Sequence, residues 1–213
     1  SLLRSFKQFA AIAREGATQM AETGLRASEG TDAILSGFSG LLIAYSLAEK
    51  LGMSKSGLYG HFRSKENLQL ELLQTAIDRF IDHVIVPALK EPRGEPRVVA
   101  LIERWLDWDD SQTMPGGCVF LAAAIELDDQ PGPQRDLLVR SQRDWLEALA
   151  MAARIAVEEG HFRRDLDTVQ MAFELYSVAH AFHFMHRLLR DEHAAQRAHR
   201  SLERILKDAR GCA

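Results

Sequence analysis

The polar groups best placed to do chemistry lie in one short stretch. Residues 46–65 carry Lys50, Lys55, Arg63 and Lys65 against Glu49 alone, in a chain whose formal net charge is −4. Positive charge gathered in one segment of an acidic chain is the footprint of local binding to a polyanion; the overall charge argues against coating nucleic acid indiscriminately. A short helix beginning at Ser54 is polar on its free face: Ser54, Lys55, Ser56, Gly57, Tyr59 and His61 are not needed to bury anything. Its N-terminus offers backbone N–H groups and a positive dipole end to a phosphate. Lys55 and Lys65 add charge beside it, and the Tyr59 hydroxyl can donate. Most such contacts fix position, whereas sequence is read by the few groups that reach base edges.

Other chemistries find less support. There is no Glu-x-x-His pair, no phosphate-cradling glycine loop and no recognisable nucleophile setting. No catalytic residue, metal ligand or cofactor is therefore expected. Asp107, Asp109, Asp110, Asp128 and Asp129 read as solvated helix ends. His180, His183 and His186 recur every three residues, which winds them round a helix and makes a poor one-face metal site. Two cysteines, Cys118 and Cys212, are too few for a disulfide framework. Cys118, in an apolar setting without a cation to acidify it, reads as a packing residue.

The polar stretch needs elements to hold it. From Ile43 to Phe62 the spacing suits two helices joined by a tight turn: Ala48 is the small residue at their close approach, and Gly52 supplies the positive φ of the turn. Leu47, Leu51, Met53, Leu58 and Phe62 join the helices, and Ser54 stands at the N-cap of the second. The plainer alternative is a solvated amphipathic helix pair. Ser64 can cap a long third helix over about 65–86, which Pro87 is expected to stop. Further helices fit 97–110, 118–128, 134–160, 168–190 and 193–209, with Asp167 and Gln170 as a capping pair. Period-two alternation is absent, so the chain reads as all-α. Its divisions are a poorly defined segment 1–33, a helix-turn-helix domain 34–83 with the motif at 43–62, and a larger helical domain 84–213. No apolar run approaches the ~20 residues of a membrane helix, and a cytoplasmic protein is expected.

In the larger domain, the 168–190 helix is apolar nearly all round and must be covered on several sides. The last helix has a narrower stripe of Ala194, Ala198, Leu202, Ile205 and Ala209. The two could form half of a four-helix homodimer interface, or the first could be a core helix of a monomer. Trp105, Trp108, Phe120, Trp145, Phe173 and Tyr176 are candidate walls of an apolar ligand pocket, with His180 and His183 as polar groups; ordinary core packing is the competing reading.

The run Ser54-Lys55-Ser56-Gly57-Leu58-Tyr59-Gly60-His61-Phe62-Arg63-Ser64-Lys65-Glu66-Asn67-Leu68 closely resembles the signature of TetR-type transcription regulators, and residues 47–52 resemble the preceding helix. The resemblance is looser through Gly116-Gly117-Cys118, Glu126, Trp145 and Glu159-Gly160. It implies a homodimeric, non-enzymatic repressor that binds a pseudo-palindromic operator in double-stranded DNA and is released by a small apolar effector. It also implies phosphate or groove contacts for Lys55, Tyr59, His61 and Lys65, and an approach to bases at Ser56 and Gly57. Gly57 and Gly60 depart from the family's usual side chains, which weakens direct readout there. Only eleven residues separate Leu35 from Leu47, too few for the family's first helix and turn. A dimeric ligand-binding protein with impaired DNA binding is the alternative this departure raises.

Overall fold

The computed structural model describes residues 64–110 and 117–211, and the helix-turn-helix stretch expected at 43–62 lies outside them. Among the described residues every regular element is helical. Helix α1 spans Lys65–Phe80. Ser64 Oγ accepts from the Asn67 backbone N–H at 3.1 Å, the third-position bond of an N-cap. The ladder then widens into a π turn over Ile81–Ile85 and closes with α2, Val86–Ala88. Pro87 therefore does not end the helix at 86. A proline ring meets the carbonyl four residues back in a regular ladder, and the wider turn ahead of it relieves that clash.

Helix α3 spans Glu95–Asp110, α4 Val119–Leu127, α5 Pro133–Glu158, α6 Thr168–His183 and α7 Ala194–Arg210. These lie within two residues of the expected bounds, except that α6 gives way to a second π turn at Phe184–Leu188. Gly160, at φ +76°, closes the turn after α5 as a left-handed residue should.

The chain forms two compact units. The described part of the first comprises residues 81–109 and 142–211; its core includes Val84, Leu101, Ile102, Trp105, Trp108, Leu149, Leu175 and Phe182. Helices α6 and α7 pack on each other there, α7 burying Ala194, Ala198, Leu202, Leu206 and Ala209. Leu206 thus takes the place expected of Ile205, which is half-buried. The described part of the second unit comprises residues 64–80, 110 and 117–141. Its core includes Leu72, Leu73, Ile77, Phe120 and Leu127, with the Phe80 and Phe120 rings edge-to-face at 5.7 Å. Cys118, buried, is the N-cap residue of α4.

One end of the first unit is closed by loop-to-loop bonds. Arg93 pairs with Glu159 at 2.6 Å, and the Glu95 N–H donates to His161 Nδ1 at 3.1 Å. Gly94 makes this approach possible: it sits at φ +94°, and a Cβ there would run into the His161 ring. Gly94→Ala is expected to cost about 1–3 kcal/mol through backbone strain and a displaced His161. Urea unfolding checks it, and an unchanged midpoint would show the loop to be more pliable than this geometry implies.

Candidate functional site

Helix α6 starts where Asp167 Oδ1 accepts from the N–H groups of Val169 (3.0 Å) and Gln170 (2.9 Å). Its buried face, Met171, Ala172, Leu175, Ala179 and Phe182, sits in the core of the first unit. At the edge of that face is a row of polar groups. The Tyr176 hydroxyl donates to Gln142 Oε1 on α5 at 2.9 Å, and the Tyr176 ring lies 4.0 Å from that of His180. His180 Nδ1–H donates to the Tyr176 carbonyl at 2.8 Å. Burial pushes the His180 imidazole below its usual range; the Tyr176 carbonyl works against this, nearby His183 adds to it and Asp109 opposes it. A neutral His180 with Nδ1–H committed keeps its Nε2 lone pair as an acceptor.

One turn on, His183 Nδ1–H donates to Asp109 Oδ1 at 2.6 Å. Arg187 Nη2 donates to the Asp109 carbonyl, also at 2.6 Å. Asp109 is fully buried, so the expectation of a solvated helix end is wrong for this residue. The α3 pattern held the signal: Asp109 lies four residues after Trp105 and seven after Ile102, on the stripe that faces inward. A carboxylate on that stripe needs a partner, and His183 provides it. Asp107, Asp128 and Asp129 are exposed as expected.

The expected ligand residues are only partly brought together. Trp105, Trp108, Trp145, Tyr176 and His180 belong to the first unit, the tryptophans almost fully buried and the other two half-buried. His83 stands 5.9 Å from Trp108, ring to ring. Phe120 packs in the second unit. Phe173 points outward, 60% exposed, and is no wall between helices of this chain. Gln142 and Arg187 join the polar row without having been singled out from sequence, and Asp109 joins it against expectation. Separately, an open groove of about 670 Å³ follows the outer face of α3 between Glu91 and Asp107, with His161 at one end. None of the expected ligand residues lines it. Among the described residues, no group of three or more His, Cys, Asp or Glu is placed to hold a metal, and no helix is long and apolar enough to cross a membrane.

Of the residues expected to meet DNA, Ser54, Lys55, Ser56, Gly57, Tyr59 and His61 lie outside the described residues, and Lys65 opens the first turn of α1. Comparison with known proteins supplies the context. Residues 46–72 match the model of bacterial regulatory proteins of the tetR family, and residues 94–202 match that of the tetracyclin repressor-like C-terminal domain. The chain belongs to the TetR family.

This TetR-family transcriptional regulator shares its fold with solved structures at low sequence identity. A TetR transcriptional regulator from Chloroflexus aurantiacus J-10-FL superposes with a TM-score of 0.73 at 21% identity, over 91% of this chain and 94% of the other. A TetR-family regulator from Cytophaga hutchinsonii gives 0.72 at 18% identity, over 99% and 98%. AibR, solved in complex with isovaleryl coenzyme A and operator DNA, gives 0.58 at 19% identity, over 80% and 96%. No curated protein matches the sequence. The family's DNA-reading part thus comes first in this TetR-type chain and its larger helical domain follows.

Proposed function

We propose that this TetR-family regulator is a cytoplasmic repressor. As a homodimer it binds a pseudo-palindromic operator in double-stranded DNA, and a small apolar effector releases it. The observation that carries this reading is the family match over residues 46–72, which includes the positively charged stretch and ends inside the capped helix α1. Ser54, Lys55, Ser56, Gly57, Tyr59, His61 and Lys65 make the DNA contacts. Dimerisation lets two recognition helices enter successive major grooves, ~34–36 Å apart.

The effector is taken up in the first unit, against Trp105, Trp108, Trp145, Tyr176 and His180. AibR, crystallised with both an acyl-coenzyme A and operator DNA, supports joint recognition in a chain of this fold. Release needs an effector that binds one state of the protein more tightly than the other. The continuous helical run from Lys65 to Ala88 contributes residues to both units, which makes it the element for that shift to act through.

Fluorescence anisotropy with the DNA upstream of the protein's own gene tests the reading. Nanomolar binding is expected. Lys55→Ala should weaken it about tenfold and reduce the salt slope by about one. Failure to bind that DNA at low salt favours a second reading, a dimeric ligand-binding protein with impaired DNA binding. That reading draws support from the short spacing between Leu35 and Leu47 and from a family match that begins at residue 46. An effector found by thermal shift should then lower operator affinity; saturation without any change in affinity contradicts the release mechanism.

A further inference from the structure

Helix α3 ends on acidic residues. Three of its last four are aspartates, and its last turn holds no basic side chain. The negative end of a helix dipole, with its open carbonyls, calls for donors and cations at that point. They come from elsewhere in the first unit. Arg187 Nη2 donates to the Asp109 carbonyl at 2.6 Å, and His183 Nδ1–H donates to the Asp109 carboxylate at the same distance. His183 is the last residue of α6, and Arg187 stands inside the π turn that follows it. The π turn at Ile81–Ile85 reaches the adjoining residue, where the His83 ring lies 5.9 Å from that of Trp108. Trp108 and Asp109 are almost fully buried, and in a close-packed interior neither shifts without moving its neighbours. Two π turns far apart in sequence thus converge on one dipeptide, and such turns are rare and frequent at functional positions.

We infer that Trp108 and Asp109 form a relay joining α6 to the helical run Lys65–Ala88, with His183, Arg187 and His83 as its positioning residues. The inference rests on the release mechanism proposed above and adds how an effector's contact reaches that run. An effector against Tyr176 and His180 bears on α6 within about three turns of Arg187. Movement of α6 that withdraws Arg187 costs the Asp109 carbonyl a charge-assisted bond in the core, at a helix end already crowded with acids. The last turn of α3 therefore follows α6. Trp108 moves with that turn, and the His83 ring moves with Trp108. The relay works equally in reverse, because coupling between two sites is reciprocal.

Hydrogen exchange of the full chain, read by mass spectrometry without DNA or effector, tests it. Arg187→Met keeps an apolar stem and removes the donors. Backbone amides over 81–88 should then exchange about tenfold faster, the loss expected of one charge-assisted bond. Those over 148–156, in the buried middle of α5, should keep their rate. Arg187→Lys returns a cation to the carbonyl and should restore most of the protection. In the reverse direction His83→Ala, at an exposed position, should speed exchange over 183–188 about threefold. An unchanged rate over 81–88 in Arg187→Met overturns the relay. Equal acceleration over 81–88 and 148–156 marks general loosening and overturns it too. Should Arg187→Met not fold, His83→Ala decides alone, and an unchanged rate over 183–188 overturns the relay. None of these results touches the repressor reading, since no DNA is present. Failure of the wild type to bind the DNA upstream of its own gene defeats that reading, while the exchange rates still decide the relay.

Discussion

Replacing His183 by alanine is expected to destabilise the protein by about 3–5 kcal/mol, more than replacing its partner Asp109. The asymmetry follows from burial. Asp109 has no exposed side-chain surface, whereas His183 is 24% exposed. Without His183 a fully buried carboxylate loses the imidazole that donates to its Oδ1 at 2.6 Å. Without Asp109, the partly exposed imidazole can turn to water, so a loss nearer 2–3 kcal/mol is expected. For a chain of this length each kcal/mol lowers the melting midpoint by about 2–4 °C. Urea and thermal unfolding of both variants read the order directly. Equal losses, or a larger loss for Asp109→Ala, would show that the difference in burial between the two partners does not set the order.

Trp145→Ala should cost about 3–5 kcal/mol with no ligand present. Trp145 stands in the middle of α5 and is 4% exposed, so truncation empties a large volume that neighbours such as Leu149 and Ala148 cannot refill. Trp145→Phe keeps most of the ring and should lose less than half as much. The comparison decides between two roles assigned to this residue. A pure effector wall predicts near-normal stability of the free protein and weakened effector binding; a core residue predicts the loss in the free protein. The burial favours the second, and the two roles coexist if effector affinity falls as well.

The helices were legible because their signals are local. Asp167 caps α6 through its own carboxylate, Ser64 caps α1, and Gly160 ends the turn after α5, each bond or angle lying within three residues of its cause. The π turns were not legible. A widened turn is set by what packs on the helix, and the 81–85 and 184–188 sequences remain ordinary helix formers. Asp109 was misread because its neighbours Asp107 and Asp110 suggest a solvated end, while its partner is 74 residues away. Phe173 shows a different limit. An all-round apolar helix announces that it must be covered, but periodicity does not say whether the cover is the same chain or another one. The DNA-reading stretch was the clearest part of the sequence, since small, turn and capping residues fall in one register there, and the family match over 46–72 agrees with it.

The π turn at Phe184–Leu188 has a consequence for helical phase. A regular α-helix turns each residue by about 100°, which would leave Leu188 roughly 60° out of line with Phe173. An i→i+5 ladder turns each residue by less and swings Leu188 back toward the same meridian. The extra residue thus works as a phase corrector, keeping the exposed Phe173 and Leu188 side chains in line over a distance at which an uninterrupted helix would have let them drift apart. Deleting a single residue from that turn would restore the regular hydrogen-bond ladder and turn Leu188 out of that line.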